Sequence, residues 1–304
     1  MNILVKYILL TPVRNEEVML PNVADCIIGQ TIRPVLWVII DGNSSDQTLE
    51  IAENLSEIHY WIQVKKQETF SSAGGHINFS IAMDEAYRFA AGIAIRNRIE
   101  YSYVGKIDAD QVLSANFFEY LMQAINADRH AGVVSGKAYT YRGSGSIDIN
   151  SIPDECLKED KFPEDELPDK RLYRKEALED IGGFPVTKYS PDTVTLAKLR
   201  LKGWKIKKIP EVKVINLRKD TGIEREWWRS SLQFGKARYY LGYHPFLLLM
   251  GCIYIVMNDG LSKALGVFFG YCISCARRDE IISDSVIWNY FHYKRIQEIV
   301  KLYL

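Results

Sequence analysis

The chain has 304 residues, 47% of them hydrophobic, and its 38 Lys plus Arg cancel its 38 Asp plus Glu. That balance excludes a global field that would gather nucleic acid or an anionic surface, so any basic site is local. The length provides for one large domain or two, and five scattered cysteines, an odd number, argue for a reduced intracellular protein without a disulfide framework.

The opening MNILVKYILLTPVRN has a short apolar run broken by Lys6 and no small-residue cleavage site. It reads as a first strand over 5–11, not as a signal peptide. A helix opens at Pro21 and runs to about residue 30, since Pro is tolerated in a first helical turn. The run V-L-W-V-I-I (35–40) is a second strand, apolar on both faces, followed by a helix from Ser45-Asp46 and a third strand over 58–65. The loop KKQETFSSAGGH leads to a helix over 77–96, then a strand YSYVGKI, a helix over 115–126 and a strand over 133–141. Doubly covered strands alternating with helices predict an α/β fold with a mainly parallel, Rossmann-like sheet flanked by helices. Functional groups in such sheets collect at the carboxyl ends of the strands.

Residues 142–170 are polar, acidic and proline-bearing and read as a long loop or insertion. RKEALEDIGGF predicts a glycine-capped helix, and SPDTVTLAKLRLKGW a second one ending at Gly203. Two short strands follow, over 205–209 and 212–217, and from Glu224 onward the pattern is helical.

The helical tail holds two apolar runs, 246–257 and 264–276, each well short of the roughly 20 residues needed to cross a bilayer. Either they pack as a buried pair on the core, or they form an amphiphilic hairpin lying in a membrane interface. The aromatics Tyr243, Tyr254, Trp288, Tyr290 and Tyr293 favour the interface. Cys272 and Cys275 have C-x-x-C spacing but no second pair, and read as buried small residues in place of a zinc site. Arg225, Arg229, Leu232 and Lys236 share one helical face, either solvated or a phosphate clamp.

The strand YSYVGKI ends in Asp108-Ala109-Asp110. Two like charges two residues apart at a strand end are tolerable when a divalent cation neutralises them, and a hard site of few protein oxygens suits Mg²⁺ or Mn²⁺ bridging phosphates. A lone D-x-D is more often a solvated turn or a helix cap. Its company alters that. TPVRNEE (11–17) ends the first strand and DGNSSDQT (41–48) the second, where Asp41 is able to accept from a base or ribose and Ser44, Ser45 and Asp46 to cap the next helix. GGHIN (74–78) precedes a helix, and IGGF (181–184) and PDTVTLAKLRLKGW (191–204) follow in order.

In this ordered set, over about residues 5–217, the chain resembles the inverting family-two glycosyltransferases of GT-A fold. The resemblance rests on Pro12 to Glu16, Asp41 to Asp46, Asn78, Asp108-Ala109-Asp110, Ile181 to Phe184 and Asp192. It implies that Asp41 contacts the nucleoside near Pro12 and Glu16, with Arg14 and Asn78 also on the substrate side. It implies that Asp108 faces the ribose and sugar, that Asp110 is the direct metal ligand with Asp108 beside it, and that Gly182 and Gly183 let backbone approach acceptor and sugar. Asp192 stands where the family carries its general base, although by itself an acid after Pro191 is a first-turn helix residue. The implied activity is transfer of a sugar from a nucleotide diphosphate donor to a glycan or lipid-linked acceptor. A catalytic domain is expected over 1–222, with donor binding to about 112 and the acceptor side from about 130, and a helical region over 223–304 at the cytoplasmic face of the membrane.

Two departures stand out. Pro191 replaces the acid that the family places before its base, and VKVINLRKD offers Asn216 and Arg218 where many relatives carry a His. Asn216 would supply a carbonyl oxygen to the metal and Arg218 a charge to phosphate. QFGKARY only echoes the Q-x-x-R-W of polymerising relatives, so a single transfer is expected. A sugar nucleotidyltransferase would carry a Gly-rich basic loop after the first strand, and TPVRNEEV has no glycine there. A non-catalytic nucleotide-binding protein of the same fold is the other alternative.

Overall fold

The computed structural model describes residues 6–141, 156–160, 167–168, 170–216 and 224–303. It divides into two compact units, Met1–Lys219 and Asp220–Leu304.

The first unit is built on one sheet. Its strands are β1 (Tyr7–Val13), β2 (Leu36–Asp41), β3 (Ile62–Lys66), β4 (Tyr103–Lys106), β5 (Gln111–Leu113), β6 (Ala131–Tyr141), β7 (Leu157–Glu159), β8 (Arg171–Arg174) and β9 (Lys205–Asn216). The order is β3-β2-β1-β4-β8-β6-β9-β5, with β7 on β6. The β3-β2-β1-β4 half is wholly parallel; the other half is mixed, with β8 antiparallel to both β4 and β6, and β9 parallel to β6. Helices α1 (Leu20–Ile28), α2 (Thr48–Ile58), α3 (Gly75–Arg96), α4 (Phe117–Asn126), α5 (Lys175–Asp180) and α6 (Pro191–Leu201) flank it.

The period-two alternation of the strands decides which helix covers which face. Tyr7, Leu9, Trp37 and Ile39 point into one core with Val23 and Ile27 of α1 and Phe118 of α4. Ile8, Leu10, Val38 and Ile40 point into the other with Met83, Ala86 and Ala90 of α3. Because both faces are covered, β2 is buried at every residue, and each large side chain so buried contributes about 1.5–3 kcal/mol. Gly105 in β4 makes room for this packing: a Cβ there would sit 2.9 Å from Leu9 Cδ1 and 3.0 Å from the Phe118 ring.

Two expectations need correction. The strands expected over 205–209 and 212–217 are one strand, β9, whose register with β6 jumps from Ser135↔Lys208 to Lys137↔Lys213. Pro210, which has no N–H to give, lies inside that irregularity and mimics a strand break in the sequence. Cys272 and Cys275, expected buried, are both exposed.

The second unit comprises α7 (Glu224–Tyr240), α8 (Pro245–Asp259), α9 (Leu261–Arg277), α10 (Ser285–Asn289), a π turn (Tyr290–Lys294) and α11 (Arg295–Tyr303). Helices α7 and α9 meet through small residues: a Cβ on Gly235 would overlap Val267 O, and one on Gly270 would overlap Leu232 O. Among the described residues no helix is long and apolar enough to cross a membrane. The outer sides of α8 and α9 nevertheless carry exposed Leu249, Ile253, Met257, Leu265, Phe268 and Phe269.

Candidate active site

The parallel strands β1, β2 and β4 deliver the loops after Val13, Asp41 and Lys106 to one edge of the sheet. The first two loops are sewn together. Asn15, left-handed at φ 56°, accepts at Oδ1 from Ser45 N–H (2.9 Å), while its own N–H donates to Ser44 Oγ (3.0 Å). Glu16 N–H donates to Thr48 Oγ1 (2.7 Å), Glu17 N–H to Asp46 Oδ2 (3.2 Å), and Gln47 N–H to Glu17 Oε2 (3.0 Å). Asp46 also accepts from Thr48 N–H and Oγ1, a turn two residues long that leads into α2; the N-cap expected at Ser44 to Asp46 falls instead on Gln47, whose side chain makes no capping bond.

Asp41 is buried at the end of β2 and accepts from the Ser44 N–H and hydroxyl. Pro12 is half-buried in β1 next to it, and Arg14 is exposed. Asn78, in the first turn of α3, accepts from Ser71 N–H at 2.7 Å, and its carbonyl accepts from the buried Gln67 amide at 3.0 Å. Asn78 therefore fixes the 67–75 loop beside Asp41, whose carbonyl takes Gln67 N–H.

After β4 the chain turns with Ile107 and Ala109 in the core, and Asp108 and Asp110, between and after them, are half-exposed at the sheet edge. Buried Gln111 orients Asp108: Asp108 N–H donates to Gln111 Oε1, and Gln111 Nε2 donates to Asp108 Oδ2, both at 3.2 Å. Strand β5 pairs with β9 so that Gln111 lies opposite Asn216, which brings the end of β9 beside the acid pair. Asn216 Nδ2 donates to Asp160 Oδ2 at 3.0 Å, which directs its amide nitrogen to Asp160 and leaves the carbonyl oxygen as the free end of the group. Among the described residues no three His, Cys, Asp or Glu cluster as a cation cage. A turn with two carboxylates and a nearby amide carbonyl fits an open, hard-oxygen site that takes the rest of its shell from water and phosphate, as Mg²⁺ and Mn²⁺ do. Arg218 lies outside the described residues.

Asp192 opens α6 behind Ser190, a non-glycine residue at φ 48°, ψ 52°. Its carboxylate is held by Lys106 Nζ at 2.8 Å (Oδ1) and 2.9 Å (Oδ2), and by Arg171 Nη1 at 3.2 Å (Oδ1). The Lys106 side chain is 1% exposed and the Asp192 side chain 24%. Burial pushes the Asp192 carboxyl up, but the Lys106 and Arg171 charges outweigh it and hold the group below the usual carboxylate range. Arg171 is anchored in turn on the Leu167 and Pro168 carbonyls and beside the Tyr173 hydroxyl. Gly182 and Gly183, at φ 81° and 90°, end α5 by donating to Glu179 O and Leu178 O; a Cβ on Gly183 would press on the Tyr87 ring at 3.3 Å, whereas Gly182 borders open space.

Sequence reasoning singled out the acids and missed what holds them: Gln67, Lys106, Gln111, Asp160 and Arg171. One of these left a signal. Lys106 is a lone charge in an otherwise apolar strand, and a buried ammonium requires a partner.

Solved structures of similar fold include a mannosyltransferase from Pyrobaculum calidifontis in complex with GDP-Man and Mn²⁺ (16% identity, 89% of this chain and 75% of that one, TM-score 0.56). They also include residues 1–349 of TarS from S. aureus in complex with UDP-GlcNAc (16% identity, 93% and 78%, TM-score 0.51) and GalNAc-T7 with UDP, GalNAc and Mn²⁺ (14% identity, 73% and 45%, TM-score 0.52). The chain spans 39% of the length of a longer TarS chain. No curated protein matches it in sequence. The family model for glycosyl transferase family 2 matches residues 8–182, more than half of the chain, including the loops after β1 and β2 and the acid pair, and the chain therefore belongs to that family as a glycosyltransferase of GT-A fold.

Proposed function

We propose that the chain transfers one sugar, with inversion, from a nucleotide diphosphate sugar to a hydroxyl of a lipid-linked or cell-surface glycan precursor. The observation that carries this reading is that one strand and the turn after it serve both halves of the reaction: β4 ends in Lys106, which holds Asp192, and the turn that follows carries Asp108 and Asp110. The loops sewn by Asn15 receive the nucleoside beside Asp41, with Pro12, Arg14, Glu16 and Asn78 around it. Mg²⁺ or Mn²⁺ at Asp110, with Asp108 and Asn216 beside it, would offset the charge that grows on the departing diphosphate. Asp192 accepts the acceptor's proton as its oxygen bonds to the anomeric carbon; the bond from that carbon to the diphosphate oxygen breaks, and the nucleoside diphosphate leaves with the electron pair. Gly182 and Gly183 leave backbone room on the acceptor side.

The supporting comparison is that two of the similar solved enzymes hold the nucleotide sugars GDP-Man and UDP-GlcNAc and a third holds UDP and GalNAc, the first and third with Mn²⁺. The test is incubation with UDP-GlcNAc and GDP-mannose, with and without Mn²⁺ or Mg²⁺. Metal-dependent release of nucleoside diphosphate supports the reading, whereas release of pyrophosphate would indicate a nucleotidyltransferase. Binding without turnover would indicate a non-catalytic protein of the same fold.

The exposed apolar sides of α8 and α9 carry no charge between Phe246 and Met257 or between Ala264 and Ala276. Glycine-mediated packing of α9 on α7 is of the kind that serves where lipid surrounds helices. We read these helices as lying in the cytoplasmic membrane interface, where a lipid-linked acceptor is presented. Flotation of the full chain with anionic liposomes, lost in the double variant Ile253→Glu, Phe268→Glu, tests this.

A further inference from the structure

We infer that Lys106 is a positioning residue for the transfer step: its buried ammonium fixes the Asp192 carboxylate relative to the acid pair Asp108 and Asp110 in the turn that follows β4. The inference rests on the reading of Asp192 as the base. Three observations carry it. Lys106 Nζ contacts both carboxylate oxygens, at 2.8 and 2.9 Å, and lies 4.8 Å from the centroid of the Phe79 ring on α3, so sheet, α3 and α6 meet at one ammonium. Arg171, directly across from Lys106 in the β4–β8 register, also holds Oδ1, at 3.2 Å. The backbone that delivers Asp192 is itself constrained: Ser190 is left-handed immediately before Pro191, where a residue is ordinarily extended. Departures of this kind persist where the surroundings over-determine them.

Stability alone does not explain the arrangement, since buried ion pairs are commonly replaceable by apolar side chains without loss. The pair is also lopsided in a way that suits chemistry. Arg171 and Lys106 both load Oδ1, whereas among the described residues Oδ2 accepts from Lys106, and 24% of the Asp192 side chain remains open.

Positioning and simple charge effects differ in sign. Were Lys106 only a nearby cation that weakens the base, removing it would strengthen Asp192 and speed the reaction. As a positioning residue its removal slows the reaction, because a base displaced by about 1 Å costs on the order of 100-fold. The experiment measures Mn²⁺-dependent nucleoside diphosphate release from UDP-GlcNAc and GDP-mannose, with water standing in for the acceptor, beside calorimetric binding of UDP and GDP with Mn²⁺. For Lys106→Met we expect kcat to fall roughly 100-fold with nucleotide affinity unchanged, an intermediate kcat for Lys106→Arg, and no further loss when Lys106→Met is added to Asp192→Asn. A kcat that is unchanged or raised in Lys106→Met overturns the inference. So does loss of nucleotide binding in step with kcat in both Lys106 variants, which is the mark of a merely structural role. If Lys106→Met does not fold, the intermediate kcat and intact nucleotide affinity of Lys106→Arg decide. An Asp192→Asn variant with full kcat, or a wild-type chain that releases nucleoside diphosphate from neither donor, removes the reading of the site itself.

Discussion

Asn15 Oδ1 accepts from Ser45 N–H at 2.9 Å, and this bond closes a clasp between the loops that follow β1 and β2. Asn is suited to the position twice over: its amide reaches the next loop, and it tolerates the left-handed backbone at φ 56° better than other side chains do. Asn15→Ala is expected to destabilise the protein by about 1–3 kcal/mol, combining lost hydrogen bonds with left-handed strain. Asn15→Gly keeps the backbone and loses only the amide, so it should cost less. Chemical denaturation of the two variants separates the contributions.

The Asp192 ion pair makes a signed statement about pH. Its folded pKa lies below the unfolded value of about 3.9. The pair's contribution is therefore fully present above that unfolded value and is lost as pH falls through the lower folded one. Denaturation midpoints of wild type and Asp192→Asn should differ by a constant amount from pH 7 to about 5, begin to converge near pH 4 and meet only below the depressed folded pKa. A gap that instead widens toward acid would contradict the depressed pKa.

Gly105 sets how closely α4 approaches β4. A methyl group there would meet Leu9 Cδ1 at 2.9 Å and the Phe118 ring at 3.0 Å. Gly105→Ala is expected to cost about 1–3 kcal/mol as an overpacked core, and Gly105→Ala with Phe118→Leu should recover part of that. Thermal unfolding of the three proteins reads this directly.

In the second unit, Gly235→Val would drive a side chain into Val267 O, an atom of the α9 backbone, where nothing can give. The α7–α9 contact should open, and limited proteolysis should cut within the 220–304 region at protease levels that leave wild type intact.

Much of the β1–β4 half is legible in the sequence because its physics is local. The run V-L-W-V-I-I announces a strand covered on both faces, and β2 is one. The acid pair at the end of an apolar strand is equally plain. Less legible is everything that depends on chain segments distant in sequence. Strands β5 and β8 are three and four residues long, too short for a periodic signal, and they exist because β9, β4 and β6 pair with them. Lys106 and Asp192 are 86 positions apart, so the partner of the lone buried lysine is invisible until the sheet brings α6 to β4. Cys272 and Cys275 read as buried from their apolar neighbours, but α9 turns its glycines inward and leaves the larger side chains outside, which is the reverse of the usual amphipathic arrangement.

The central claim is that the turn after β4 grips a donor diphosphate through a divalent cation. Calorimetric titration of UDP and of GDP into wild type and Asp110→Asn, each with Mn²⁺ and with chelator, tests it most directly. The account predicts that at least one nucleotide binds wild type only with Mn²⁺ and that Asp110→Asn loses that dependence together with at least tenfold in affinity, about 1.4 kcal/mol. Binding of equal strength with Mn²⁺ and with chelator in both proteins would contradict it.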